Sequence, residues 1–409
     1  MMSGTHLLDR EWLRKAARWS WLLLCAVLPV SGAWVPVPQA VAVALLLLVA
    51  WRIRPSVDWH VLWPIGSLYA LHLIGMLWTE DLAFGLFDLQ IKVGLLLMPI
   101  AAVTYCSIQP NGFKESMLAF LLGNLLAFGL SLAKAWQCQA DGGAGCFSQS
   151  ALSFDLHPSY AAWYACWCVA YAGHQVLSAR GISTRGRLGW LVAAALLILF
   201  ILMLASKSGV IGLGLVVILL LATSVRSART HWAMPAAFIA VVALASWKVG
   251  PVVLSRMEAA WRAVELARAG DPAIYASSSG SEMRLVAWAC SAELIAADPI
   301  GAGTGDIKHA LFGCYEAKGA APALERGLNS HSQFLQGGVA LGWLGALLTL
   351  LSALVPLALA LRRHDARLTV FALLFLFNAT VESVLEVQAG VALYGIFLGL
   401  LSVKGGRSA

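Results

Sequence analysis

The sequence predicts an all-α fold: a polytopic membrane helix bundle of about 12 transmembrane helices with a large helical periplasmic loop. Three observations predict it. Of 409 residues, 60% are hydrophobic and 12% charged, about half the charged share of a soluble domain, and the mean hydropathy is +0.78. The apolar residues come in unbroken runs near the ~20 needed to cross a bilayer. Alternating ten-residue strands are missing, so helices are the spanning form.

The runs are Trp19–Val35, Pro38–Trp51, Trp59–Trp78, Phe84–Tyr105, Phe113–Trp136, Pro158–Leu177, Leu188–Ala205, Val210–Val225, Trp232–Val249, Phe334–Leu361, Leu368–Thr380 and Val387–Val403. The formal charge of +7 sits in the short loops between them. That arrangement records topology and argues against a nucleic-acid partner. Arg10, Arg14, Lys15 and Arg18 precede the first run, and every even-numbered exit is basic: Arg52 and Arg54, Arg180, Arg185 and Arg187, Arg226 and Arg229, Arg362, Arg363 and Arg367, then Lys404 and Arg407. Both termini are therefore expected in the cytoplasm. Trp51, Trp59, Trp78, Trp136 and Trp232 fall near run ends, as an interfacial belt requires. The first run has no cleavage-site pattern after it, so no removable signal peptide is expected.

The chain divides into residues 1–249 with nine spans, a large external loop over 250–332, and residues 333–409 with three spans and the C-terminus. The loop is too polar to span. A first loop helix, about Val252 to Ala269, places Met257, Trp261 and Val264 on one face and stops at Asp271-Pro272. A second starts at the capping box Ser279-x-x-Glu282 and ends before Pro299. Of eight cysteines, Cys138 and Cys146 flank a Gly-rich external loop where an oxidising periplasm would permit a disulfide; the others read as small buried apolar residues. No zinc spacing and no Asp-x-Asp pair in an external loop occurs, so no metal site is expected.

Polar residues beside spans are costly and so are the candidates for chemistry. His331, in Asn329-Ser330-His331-Ser332-Gln333-Phe334-Leu335, stands where the loop re-enters the membrane and can exchange a proton. Arg284 on the capped helix has the planar fork that suits phosphate, and Arg256, Arg262 and Arg268 share its ambiguity with solvated or headgroup arginines. Lys207 occupies the four-residue hairpin Ser206-Lys207-Ser208-Gly209, where it faces either an anionic ligand or the interface. Asp88 and Lys92, four apart on one helix face, read as an internal ion pair or as a lysine reaching a substrate phosphate. The run Asp298-Pro-Ile-Gly-Ala-Gly-Thr-Gly-Asp306 could cradle phosphate, but without a preceding strand it reads as a flexible turn. His157, Asn329, Glu382 and Glu386 are expected to line the same external cavity.

The hairpin with Lys207, the helix with Arg284, the Gly-rich run and the Asn-Ser-His-Ser-Gln-Phe-Leu segment follow one another in this order between about Leu188 and Trp343. Together they resemble the O-antigen ligase and polymerase superfamily of bacterial inner-membrane glycosyltransferases. The resemblance implies a metal-independent enzyme with a periplasmic active site and no cofactor. Its donor would be a glycan on undecaprenyl diphosphate, and its acceptor a sugar hydroxyl of lipid A-core in lipopolysaccharide biosynthesis. The family's histidine falls on His331 and its arginine on Arg284. Lys207 stands where relatives often carry Arg, which keeps the charge but loses the bidentate fork. In that frame His331 is the general base, while Arg284, Lys207 and Lys92 meet the diphosphate. A single in-line displacement would invert the anomeric centre. The rival readings are an O-antigen polymerase, a protein O-oligosaccharyltransferase and, in another class, a transporter or flippase. The last would place its ionisable residues deep in several spans rather than on one external side.

Overall fold

The computed structural model describes residues 10–177, 182–225, 254–255 and 257–403. The ninth expected span, Trp232–Val249, and the cations Arg180, Arg226, Arg229, Arg256, Lys404 and Arg407 lie outside the described residues. Among the described residues the chain is helical throughout, with no strand. The helices are α1 (Arg10–Val27), α2 (Pro36–Ile53), α3 (Trp59–Gly75), α4 (Leu82–Lys92), α5 (Gly94–Ile108), α6 (Gly112–Ala140), α7 (Gln149–Leu152), α8 (Pro158–Leu177), α9 (Thr184–Leu204) and α10 (Lys207–Val225). Then come α11 over 257–269, α12 (Ala273–Ala276), α13 (Gly280–Ala297), α14 (Ile307–Ala317), α15 (Ala321–Glu325), α16 (Gln333–Arg363), α17 (Ala366–Val381) and α18 (Gln388–Ser402).

Among the described residues six stretches are long and apolar enough to cross a membrane: α2, Trp59–Trp78, Leu82–Ile108, α6, α9 and α16. Lys207–Ala222, α17 and α18 are apolar but shorter. α8 is different in kind. Its Trp, Tyr, Gln and His residues lower its hydropathy, and it is buried on nearly every side, as a helix enclosed by protein must be.

The chain forms two compact units, one from residues 1–59, 97–250 and 392–409, the other from 60–96 and 251–391. In the first unit α8 packs between α9 and α10, and α6 packs on α1 and α8. Phe120 of α6, Tyr164 and Trp167 of α8 and Phe397 of α18 make its aromatic centre, with ring centroids 5.0–5.7 Å apart. Gly123 lets α6 approach α1, because a Cβ there would lie 2.1 Å from the Ala26 carbonyl. Arg18 holds Glu115 with two hydrogen bonds of 2.8 and 3.1 Å, and Tyr105 donates to the same carboxylate.

In the second unit α13 and α14 pack on the start of α16 around Val286, Cys290, Ile295, Leu311, Tyr315 and Val339. α11 ends at Gly270, which takes a left-handed φ of 65° and lets Asp271 N reach back to the Leu266 carbonyl, the usual glycine stop. The expected capping box differs. The Ser279 side chain makes no cap hydrogen bond, and Glu282 instead accepts from Ser277.

α16 is broken. Leu341 and Gly342 leave helical geometry, which frees the carbonyls that close the first half. The Gly-rich run takes them: Ala302 N donates to Val339 O, Gly303 N to Ala340 O, and the Pro299 carbonyl accepts from Trp343 N, at 2.9–3.1 Å. Its other end is fixed too. Thr304 donates to the His72 carbonyl, Gly305 N to Thr79, and Asp306 accepts from the backbone of Glu80 and Asp81. The run is therefore a pinned wedge, with the amides of Ile300, Gly301, Ala302, Gly303 and Gly305 used internally, rather than a flexible turn or a phosphate cradle. Gly342, at φ 63°, has no room for a side chain, since a Cβ would lie 1.8 Å from the Pro299 oxygen.

Two disulfides are present, Cys138–Cys146 and Cys290–Cys314. The second corrects the reading of those two cysteines as inert packing residues: it staples α13 to α14, elements 24 residues apart whose proximity the sequence does not display. Cys25, Cys106, Cys166 and Cys168 are free thiols. Alkylation of the denatured, unreduced protein should therefore label four cysteines by intact mass, and eight after reduction. Gly342→Ala should lower the thermal midpoint in detergent by the equivalent of at least about 1 kcal/mol, the cost of a left-handed non-glycine residue. Gly214→Ala, where the added Cβ meets nothing, should be neutral or stabilising.

Candidate active site

Arg284 and Trp288 stand one turn apart on α13 and so project from one face. Arg284 Nη2 donates to Glu382 Oε1 in an ion pair. Trp288 Nε1 donates to the backbone carbonyl of His331 at 3.1 Å. His331 precedes α16 and has a left-handed φ of 43°, a conformation that costs a β-carbon residue roughly 1–2 kcal/mol and persists only where neighbours enforce it.

The neighbours that enforce it are specific. Asn329 Oδ1 accepts from His331 N at 2.9 Å and from Ser383 Oγ at 3.3 Å. The ring Nδ1 lies 3.2 Å from Glu382 Oε2. A carboxylate only accepts, so Nδ1 carries a hydrogen, and in the neutral ring the lone pair is on Nε2. Among the described residues Nε2 has no hydrogen-bond partner, and the histidine side chain is 21% exposed against 7% for Glu382. The arrangement is a histidine held at its amide, its carbonyl and one ring nitrogen, with the other nitrogen ready to take a proton. The remaining N–H groups of Arg284 have no partner among the described residues either, and its side chain is 25% exposed.

The turn that supplies Glu382 also supplies Glu386. Gln333, at the first position of α16, clamps it: Nε2 donates to Glu386 Oε1 at 2.9 Å, and Oε1 accepts from Leu385 N at 2.6 Å. Lys92 of α4 lies 2.8 Å from Glu386 and also pairs with Asp88. Its side chain is 0% exposed. The internal ion pair, the plainer of its two readings, describes it, and it has no surface through which to meet a substrate phosphate. Burial pushes the Glu386 carboxyl up, but the Lys92 ammonium and the Gln333 amide outweigh burial and hold it below the usual carboxylate range.

His331, Arg284, Asn329 and Glu382, all singled out from the sequence, thus form one network in the second unit. Lys207 and His157 belong to the first unit. There the hairpin with Lys207 meets the turn with His157 through hydroxyls, Ser206 Oγ lying 3.4 Å from Ser159 Oγ and 3.1 Å from Ser208 Oγ. Lys207 opens α10 and is half-buried. Sequence reasoning gave no role to Trp288, Gln333 or Ser383. The only available signal for the first two was spacing, four residues after Arg284 and two after His331. Among the described residues no three His, Cys, Asp or Glu side chains cluster as metal ligands.

Residues 182–350 match the model of the family described as O-Antigen ligase. The matched segment includes Lys207, Arg284, Asn329, His331 and Gln333; Lys92, His157, Glu382 and Glu386 fall outside it. No individual curated protein matches the sequence.

Because its folded-state affinity for a proton is depressed, Glu386 contributes stability that is fully present above the ordinary carboxylate range and is lost as pH falls through its lowered value. Thermal midpoints of the detergent-solubilised protein should hold from pH 7 to pH 5 and drop below about pH 4.5. Glu386→Gln should be less stable at neutral pH and show a shallower acid limb.

Proposed function

We propose, from the match of residues 182–350 to the family described as O-Antigen ligase, that the chain is a glycosyltransferase-like membrane enzyme of that superfamily and is the ligase itself. It would transfer polysaccharide from undecaprenyl diphosphate to a sugar hydroxyl of lipid A-core, on the periplasmic side of the inner membrane. The observation that carries this reading is the anchored His331, with Nε2 unpartnered among the described residues and Arg284 one carboxylate away. The two disulfides support an oxidising compartment for the loops that hold them.

The chemistry follows from the groups. His331 Nε2 takes the proton of the acceptor hydroxyl, and the Nδ1–H bond to Glu382 stabilises the imidazolium that forms. The acceptor oxygen bonds to the anomeric carbon as the bond from that carbon to the diphosphate oxygen breaks, so the electron pair leaves on the diphosphate. The remaining N–H groups of Arg284 meet that growing charge; such a donor is worth about 2.7–4 kcal/mol in the transition state. One displacement at one carbon inverts the anomer. Lys92, singled out from the sequence for the diphosphate, is left out of this contact set because it is enclosed.

The test is transfer by the purified, reconstituted protein from a lipid-linked glycan, with lipid A-core and a second lipid-linked glycan offered separately. Transfer to lipid A-core supports the ligase; transfer only to the second glycan makes the protein a polymerase. His331→Ala should lose at least about 10²-fold in rate. Glu382→Gln, which keeps the shape but no longer enforces the tautomer, should lose roughly 10²–10⁴-fold. A retained anomeric configuration in the product would sink the single displacement.

A further inference from the structure

We infer that Lys92 is a positioning residue for His331, acting through Glu386 and Gln333; the inference rests on the reading of His331 as the base. Two short segments, 329–333 and 382–386, dock side chain by side chain. Asn329 takes Ser383 at 3.3 Å, His331 takes Glu382 at 3.2 Å, and Gln333 takes Leu385 N at 2.6 Å and Glu386 at 2.9 Å. The contacts come from alternate residues of the first segment, so a shift at one is felt at the next. Gln333 uses both ends of its amide in this docking and is 1% exposed.

The two carboxylates on the 382–386 side are anchored by charge. Glu382 is held by Arg284 and Glu386 by Lys92. Among the described residues Lys92 is the only lysine or arginine within salt-bridge distance of Asp88 and Glu386, whose side chains are 3% and 11% exposed. Without it those two buried anions would face each other uncompensated, a state that proteins escape by moving or by taking up protons. Asp88 has little else to turn to: among the described residues its Oδ2 has no hydrogen-bond partner, and His72 Nδ1 lies 3.6 Å away. Release of Glu386 frees Gln333 and the turn, and with the turn the carboxylate that orients His331.

The experiment compares kcat and donor KM of the reconstituted wild type with Lys92→Met, Lys92→Arg, Gln333→Ala, Glu382→Gln and the Lys92→Met/Glu382→Gln and Gln333→Ala/Glu382→Gln pairs. Lys92→Met and Gln333→Ala should lower kcat roughly 10²-fold, the cost of misplacing a reacting group by about 1 Å, with donor KM within about threefold. Lys92→Arg should recover part of the rate. Each double variant should be no slower than Glu382→Gln alone, because all act through one carboxylate. Multiplicative losses, or a donor KM raised more than about tenfold at unchanged kcat, would overturn the inference. If Lys92→Met does not fold, the Gln333→Ala pair decides. A wild type that transfers and a His331→Ala that does not, beside a fully active Gln333→Ala, would reject the positioning role and leave the base standing. A wild type that transfers nothing removes both.

Discussion

The pairing of two carboxylates on one turn with two cations on different helices is the constraint around which the second unit is organised. Glu382 and Glu386 are four residues apart, and each is mostly buried. A buried carboxylate is tolerable only when it is paired and hydrogen-bonded. Arg284 and Lys92 meet that condition from α13 and α4, and the turn therefore has one place to sit. His331 inherits that place. Its own backbone is unfavourable, and its ring is aimed by a carboxylate that could not remain there without Arg284.

The same logic extends to the backbone. A helix broken within an apolar stretch exposes carbonyls that lipid cannot satisfy. In α16 the break at Leu341–Gly342 is tolerated because the 298–306 run supplies the missing amides. Glycines make the approach feasible, at Gly301 against Gly342 N and at Gly305 against the Asp81 carbonyl. The half of α16 that begins beside His331 thus has a defined end of its own, and α3 and α13 are tied to it through the same loop and through Trp288.

Much of this was legible in the sequence. Outside 226–253 each apolar run overlaps described helix, and Pro158–Leu177 matches α8 at both bounds, but Trp19–Val35 runs past the end of α1 and Phe84–Tyr105 covers both α4 and α5. Hydropathy reads these because burial and length set them. His331, Arg284, Asn329 and Glu382 were legible because polar residues beside spans are expensive and so stand out. The pairings were not. Nothing local says that Glu382, 98 residues on, is the partner of Arg284, or that Cys314 rather than a free thiol faces Cys290. The Gly-rich run misled for a related reason: the glycines serve close approach, and a sequence shows the absence of a side chain without showing what occupies its space. The capping box failed because Ser277, two residues outside the pattern, competed for Glu282.

The wedge carries a practical lesson for anyone mapping this protein by saturation mutagenesis. Gly301, Gly303, Gly305 and Gly342 each admit no β-carbon without displacing backbone or Thr79, so nearly every replacement there would abolish function. On a tolerance map they would score as severely as His331 while touching no reactant. The two kinds of intolerance differ in what survives them: loss at the glycines should carry away the folded protein, whereas loss at the histidine should leave a well-behaved molecule that has merely stopped reacting. Abundance and turnover must therefore be scored on the same variants before a sensitive position is assigned to chemistry.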